Sequence, residues 1–349
     1  MRRRFFLVMI LLLIYLVGCS NQEQVDKEES GEGVKESANE ETVETITHTD
    51  IFPLTGIGTN EEISQRPFAV MIENDPNARP QSGLHQADIV YETLAEGDVT
   101  RFMAIFQSEK PEKIGPVRSA RDYYIDLSKG YDAFYVAHGF SKTAEERLVA
   151  GEVDNINGMF YDGTLFWRDE SRAAPHNSYI SYENIKKGAA DVDKAFEAQV
   201  SPLSFLTEEE IGTLDGIVAS DIKLSYSSRD TFAVEYRYNQ QLEKYERYNN
   251  KEQTIDRETK VPVLLDNVFI VEMAHQVIDD IGRKEIDITT GGKGLLLQKG
   301  IAKEVQWKNS NGRIVPVINN EETGFIPGKT WINVIPNSPG IAGAVSYGN

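Results

Sequence analysis

The chemically suggestive side chains of this sequence fall in one stretch. Arg101, Arg118 and Arg121 come first, then His138, and then Arg168, Arg172, His176 and Asn177. Guanidinium groups grip carboxylates and phosphates through paired N–H donors, and imidazoles pass protons near neutral pH. Several guanidiniums meeting two imidazoles would suit a carboxylate, phosphate or sugar-phosphate ligand. The same arginines can equally pair with Asp88, Glu92, Glu96 or Asp122 as structural ion pairs, and both readings stay open. Arg101, Arg118, Arg121, His138, Arg168, His176 and Asn177 are therefore the candidate ligand-binding residues.

Catalytic signatures are incomplete. His176-Asn177-Ser178 has the H-x-S spacing of two-histidine phosphoesterases, but His138-Gly139-Phe140-Ser141 places its serine one position too far. Glu92 and Glu96 resemble the paired carboxylates of a glycosidase. A strand ending near Thr93 gives them no common direction, so pairing of one with Arg101 is simpler. Ser82, Ser119 and Ser141 lie outside any G-x-S-x-G elbow, and Ser119 and Ser141 read as helix caps. Gly324-Phe325-Ile326-Pro327-Gly328-Lys329-Thr330 is one residue short of a P-loop and leads into a strand pattern, so it reads as a turn. Gly291-Gly292-Lys293-Gly294 reads as a flexible turn. No His or carboxylate cluster has metal-ligand spacing, and neither metal nor cofactor is expected. Catalytic residues stay unassigned.

The elements that must position these residues alternate in type. Val-, Ile-, Phe- and Tyr-rich runs at 67–73, 87–93, 100–107 and 132–137 predict strands, and 119–127, 141–150 and 181–198 predict helices. Residues 52–200 thus read as a mixed α/β layer domain. Residues 201–218 form a connector. From 219 to 343 short alternating runs predict a β-rich, mainly antiparallel domain; Phe232, Val234, Tyr236 and Tyr238 repeat with period two. The fold class is α+β. A transport-linked solute receptor fits poorly, because its two lobes should be alike.

The N-terminus carries an address. Three arginines precede an apolar run at 5–17, too short for a membrane span of about 20 residues. Leu16-Val17-Gly18-Cys19 then resembles the lipobox of bacterial lipoproteins. That resemblance implies removal of residues 1–18 as a signal peptide and diacylation of Cys19. Two acyl chains give a durable anchor where one is marginal. Cys19 is the sole cysteine, so the chain forms no internal disulfide. Residues 20–50 hold ten acidic residues and two lysines and lack aromatics, so 19–51 reads as an acidic disordered tether. The formal net charge of −19 argues against nucleic-acid partners.

The runs Arg66-Pro67-Phe68-Ala69-Val70-Met71-Ile72-Glu73-Asn74, Ala78-Arg79-Pro80-Gln81-Ser82-Gly83-Leu84 and Ala87-Asp88-Ile89-Val90-Tyr91-Glu92 are long and unusual. So are Thr100-Arg101-Phe102-Met103-Ala104, Ile114-Gly115-Pro116-Val117-Arg118-Ser119-Ala120-Arg121, Ala174-Pro175-His176-Asn177 and Lys329-Thr330-Trp331-Ile332. Together they resemble the YerB family of lipoproteins from Gram-positive bacteria, whose domain of unknown function comes in two parts. The likeness runs from about residue 52 to 336, with Gly97-Asp98 where the family often has a Gly pair. It implies attachment to the outer face of the cell membrane and no particular reaction. The expected partners are the membrane, through the lipid, and a cell-wall glycan or envelope protein. The alternative is an enzyme acting on an anionic or glycan substrate through a His/Arg-lined cleft.

Overall fold

Apolar residues in consecutive positions mark strands covered on both faces, and the central strands here are of that kind. The computed structural model describes residues 48–227 and 229–348. These described residues pack as one unit. In the first half, strands β1 (Phe68–Glu73), β2 (Ile89–Glu96) and β3 (Val99–Phe106) lead to helix α1 (Asp122–Lys129). Strand β4 (Phe134–Ala137), helix α2 (Lys142–Val149), strand β5 (Asn155–Asn157) and helix α3 (Tyr182–Asp191) follow.

The second half is β-rich. It contains β6 (Asp221–Ser225), β7 (Ala233–Asn239) and β8 (Lys244–Asn249), then β9 (Asn267–Met273), β10 (Gly292–Gln298), β11 (Ile301–Ser310), β12 (Arg313–Ile318) and β13 (Thr330–Pro336). The α+β class expected from the sequence is the one observed.

The two halves share one sheet. Its main path runs β12-β11-β10-β9-β13-β2-β3-β1-β4-β5. The join is parallel: β13 pairs with β9 on one side and with β2 on the other. A smaller sheet built on β8-β7-β6 packs on one face of the large one. Strand alternation sorts the core accordingly. Phe68, Val70 and Ile72 join Leu224, Val234 and Tyr236 between the sheets, whereas Ala69 and Met71 join Tyr124 and Leu127 of α1 on the opposite face. Phe134 and Tyr135 point to opposite faces and both are fully buried, so neither is left for solvent.

Local chemistry explains the helix ends. Ser141 caps α2 by accepting from the Ala144 amide, and Ser181 caps α3 by accepting from the Asn184 amide. Ser119 does not cap α1, contrary to expectation; the helix begins three residues later, and Ser119 lies in the segment that crosses the ends of β1 and β4. The expected helix over 181–198 stops at Asp191. Gly292 and Gly294 stand in β10 rather than in a turn, where added β-carbons would meet Trp307 and Phe269.

Candidate functional site

The parallel strands β1 and β4 end side by side, and the segment 114–121 is laced across their ends. The Glu73 amide donates to the Pro116 carbonyl, the Arg118 amide to Met71, the His138 amide to Arg118, and the Val117 amide to Ser178. Gly115 permits this crossing. Its φ is +146°, and a β-carbon there would stand 2.7 Å from the Ser178 carbonyl oxygen. Arg118, His138 and the residues 176–178 thereby reach one edge of the fold.

Three clusters hold the candidate residues. In the first, Glu73 lies 3.0 Å from Arg118 Nε through one carboxylate oxygen and 3.0 Å from His176 Nδ1 through the other. Burial raises the Glu73 pKa, and Arg118 counteracts that most strongly. In the second, Glu96 pairs with both Arg101 and Arg121. A register shift in β2 between Leu94 and Glu96 re-aims that carboxylate. Arg101 also donates to the Ser119 carbonyl at 2.9 Å. In the third, His138 Nδ1 lies 2.7 Å from Ser178 Oγ and Nε2 lies 2.9 Å from Arg168, which in turn grips Asp162 and reaches the Asn177 side-chain oxygen at 3.2 Å.

The third cluster contains a serine against a histidine, so its proton logic matters. Arg168 has only donors, hence Nε2 of His138 accepts and Nδ1 carries the hydrogen that points at Ser178. A ring in that tautomer cannot take the Ser178 proton. Where a triad places a carboxylate behind its histidine, this site places a guanidinium. Burial, and then Arg168, push the His138 pKa down, which keeps the ring neutral. Ser178 is itself buried.

Other participants were not singled out from sequence. Glu73 and Asp162 are partners that organise the candidates, and only their three-dimensional neighbours reveal them; Ser178, seen in sequence only as part of an H-x-S spacing with His176, partners His138 instead. Between the two sheets, Arg247 and Glu92 form an ion pair at 2.8 Å with both side chains at 0 % exposure. Trp331 Nε1, Thr100 Oγ1 and Asn74 Nδ2 also donate to Glu92. A signal for Arg247 existed: in β8 it shares the inward face with Tyr245 and Asn249, and a charge in a core-facing series demands a partner. Beside this pair, Arg79 and Gln81 of the loop after β1 face Asn249 and Thr254 across a cavity of about 370 Å³. Arg79 donates to Asn74, the residue after Glu73, so the cavity adjoins the first cluster.

Among the described residues, no group of three His, Cys, Asp or Glu side chains is arranged to hold a metal ion. Nor is any helix among them long and apolar enough to cross a membrane. The signal peptide, most of the acidic tether and Cys19 lie outside the described residues.

Comparison with known proteins gives the chain its relatives. Residues 54–195 match the family described as "Protein of unknown function (DUF3048) N-terminal domain", and residues 222–332 match its C-terminal counterpart. The chain is 47% identical over 287 residues to the Bacillus subtilis (strain 168) protein named "Putative lipoprotein YerB", covering 82% of this chain and 86% of the relative. The crystal structure of YerB protein from Bacillus subtilis superposes with a TM-score of 0.79 at 45% identity, over 86% of this chain and 99% of that one. The resemblance drawn from the sequence runs holds across both halves, and this chain belongs to the DUF3048 family of proteins of unknown function.

Proposed function

We propose that this protein is a lipid-anchored component of the bacterial envelope, held on the outer face of the membrane, whose folded body binds a wall polymer, its precursor or a membrane-protein partner. The anchor rests on Leu16-Val17-Gly18-Cys19 and on a relative named as a lipoprotein. Binding is favoured over catalysis by one observation above all: Arg168 occupies His138 Nε2 and turns the other ring hydrogen toward Ser178, so the best-placed base has no free lone pair. Arg118 is engaged by Glu73, and Arg101 and Arg121 by Glu96, whereas His176 meets Glu73 through Nδ1 alone and keeps Nε2 for another partner.

The His138–Ser178 contact at 2.7 Å is what an enzyme reading has in its favour. Two measurements separate the readings. Cys19→Ser should abolish acylation and move the full chain out of the membrane fraction; retention there would sink the anchor. Wall fragments should sediment the acylated wild-type chain, and a His138→Ala, His176→Ala double variant of normal abundance should leave cells unaffected. Loss of function in that variant at normal abundance and fold, with wall sedimentation unchanged, would instead favour catalysis.

A further inference from the structure

The cavity beside Arg79 has a charge balance unlike the three clusters. Arg79 Nε donates to Asn74 Oδ1 at 3.0 Å; one terminal nitrogen donates to the Asn74 carbonyl at 2.9 Å and the other to the Thr231 carbonyl at 3.3 Å. A guanidinium has five N–H groups. Two therefore remain, one on each terminal nitrogen, the number a carboxylate or phosphate needs for two-point binding. Among the described residues Arg79 makes no ion pair.

Its surroundings add to the same charge. Arg172 donates to the carbonyls of Asn77 and Pro80 at 3.1 and 2.6 Å. The Arg257 amide donates to the Gln81 carbonyl, and its guanidinium reaches Ser171 Oγ at 2.7 Å. Neither arginine is in an ion pair among the described residues. Three arginines thus gather at one loop, none of them in an ion pair among the described residues, in a chain whose net charge is −19. Burial, and then the nearby Arg247, push Arg79 down to about 10, with the carboxylates of Glu92, Asp75 and Glu252 acting the other way from beyond ion-pair distance.

Apart from Glu252, the rest of the lining is uncharged and mostly suited to hydroxyls. Thr254 Oγ1 accepts from Arg247 at 2.8 Å and keeps its own hydrogen to donate, and Gln253 stands exposed with a free choice of donor and acceptor. Pro80 and Ile255 supply apolar surface. One carboxylate, Glu252, lies at the exposed rim.

We propose that this cavity binds a polyhydroxylated ligand bearing a phosphate or carboxylate group, the anion on the two free N–H groups of Arg79 and the hydroxyls on Thr254 and Gln253. The proposal rests on the reading of the protein as an envelope binding module and names the chemistry of its ligand, an anionic glycan or polyol phosphate unit.

Calorimetric titration of the full acylated chain in nonionic detergent tests it, with glycerol 3-phosphate, glucuronate and glucose as probes. Saturable one-to-one binding of at least one anion is expected, at least roughly tenfold tighter than glucose, as loss of a charge-assisted pair implies. Preference for the ester points to phosphate sources, and preference for glucuronate to carboxylate sources. Arg79→Gln should weaken binding about tenfold or more. Because that change also loosens the loop, Gln253→Glu and Gln253→Lys provide a second check: the first should weaken and the second strengthen anion binding, each by roughly threefold or more. No saturable binding of either anion, equal binding of glucose, or indifference to the Gln253 charge would overturn the proposal. Wall sedimentation that persists in Arg79→Gln would discard this cavity yet keep the binding-module reading. Anion binding by a chain that sediments with no wall material would do the reverse.

Discussion

Replacing Arg247 with methionine should unfold this protein more readily than any surface change. Arg247 is sealed between the sheets, with Trp331 and Phe102 ring centroids 4.5 and 5.3 Å from its guanidinium carbon. Its partner Glu92 belongs to the first half of the chain and to the large sheet, whereas Arg247 belongs to the small one. Methionine fills much of the volume but leaves a carboxylate at 0 % exposure without its cation. Removing one member of a buried pair costs about 3–5 kcal/mol. Trp331, Thr100 and Asn74 still donate to Glu92, which places the expected loss near the lower end of that range. Urea unfolding followed by Trp fluorescence should show the midpoint fall with the slope unchanged. Adding Glu92→Gln should then restore roughly 2 kcal/mol, because the uncompensated charge is gone. A single-variant loss below about 1 kcal/mol, or strictly additive effects in the double variant, would refute the argument that this pair is electrostatically coupled.

Other outcomes follow from the same geometry. Glu96→Gln strips one carboxylate from both Arg101 and Arg121; with Glu96 about a quarter exposed, a loss of about 2 kcal/mol is expected, short of the full buried-pair cost, read from the urea midpoint. Burial holds the His275 pKa down to about 4, below the usual value near 6.5. The unfolded chain therefore takes up that proton first, and stability present above about pH 6.5 is lost as pH falls toward 4, by up to about 3 kcal/mol. His275→Phe should flatten the decline in Tm across that window. Gly158→Ala would drive a β-carbon into the His138 ring; a loss of about 1–3 kcal/mol and displaced His138 ring resonances are expected.

Strand positions were the most legible feature of the chain. The runs at 67–73 and 100–107 became β1 and β3 within a residue or two, because consecutive or alternating Val, Ile and Phe has few other uses. Helix ends were less so. Ser141 and Ser181 cap as their neighbours foretold, but Ser119 is held by the crossing segment, a tertiary constraint that overrides a local preference. The site divides in the same way. The arginines and histidines were visible as residue types, while Glu73, which joins Arg118 to His176, was hidden inside an apolar run.

Local chemistry thus determined the α+β class, the order of strands and the lipobox-like start, since each depends on side chains within a few residues of one another. Tertiary structure alone decided that β13 inserts between β9 and β2, that Arg247 finds Glu92, and that Arg79 meets Thr254 across a cavity. Those choices depend on register and on charges far apart in the chain. Alternation says which face a residue takes, but the partner on that face is settled only when burial forces every charge and every strand edge to be matched.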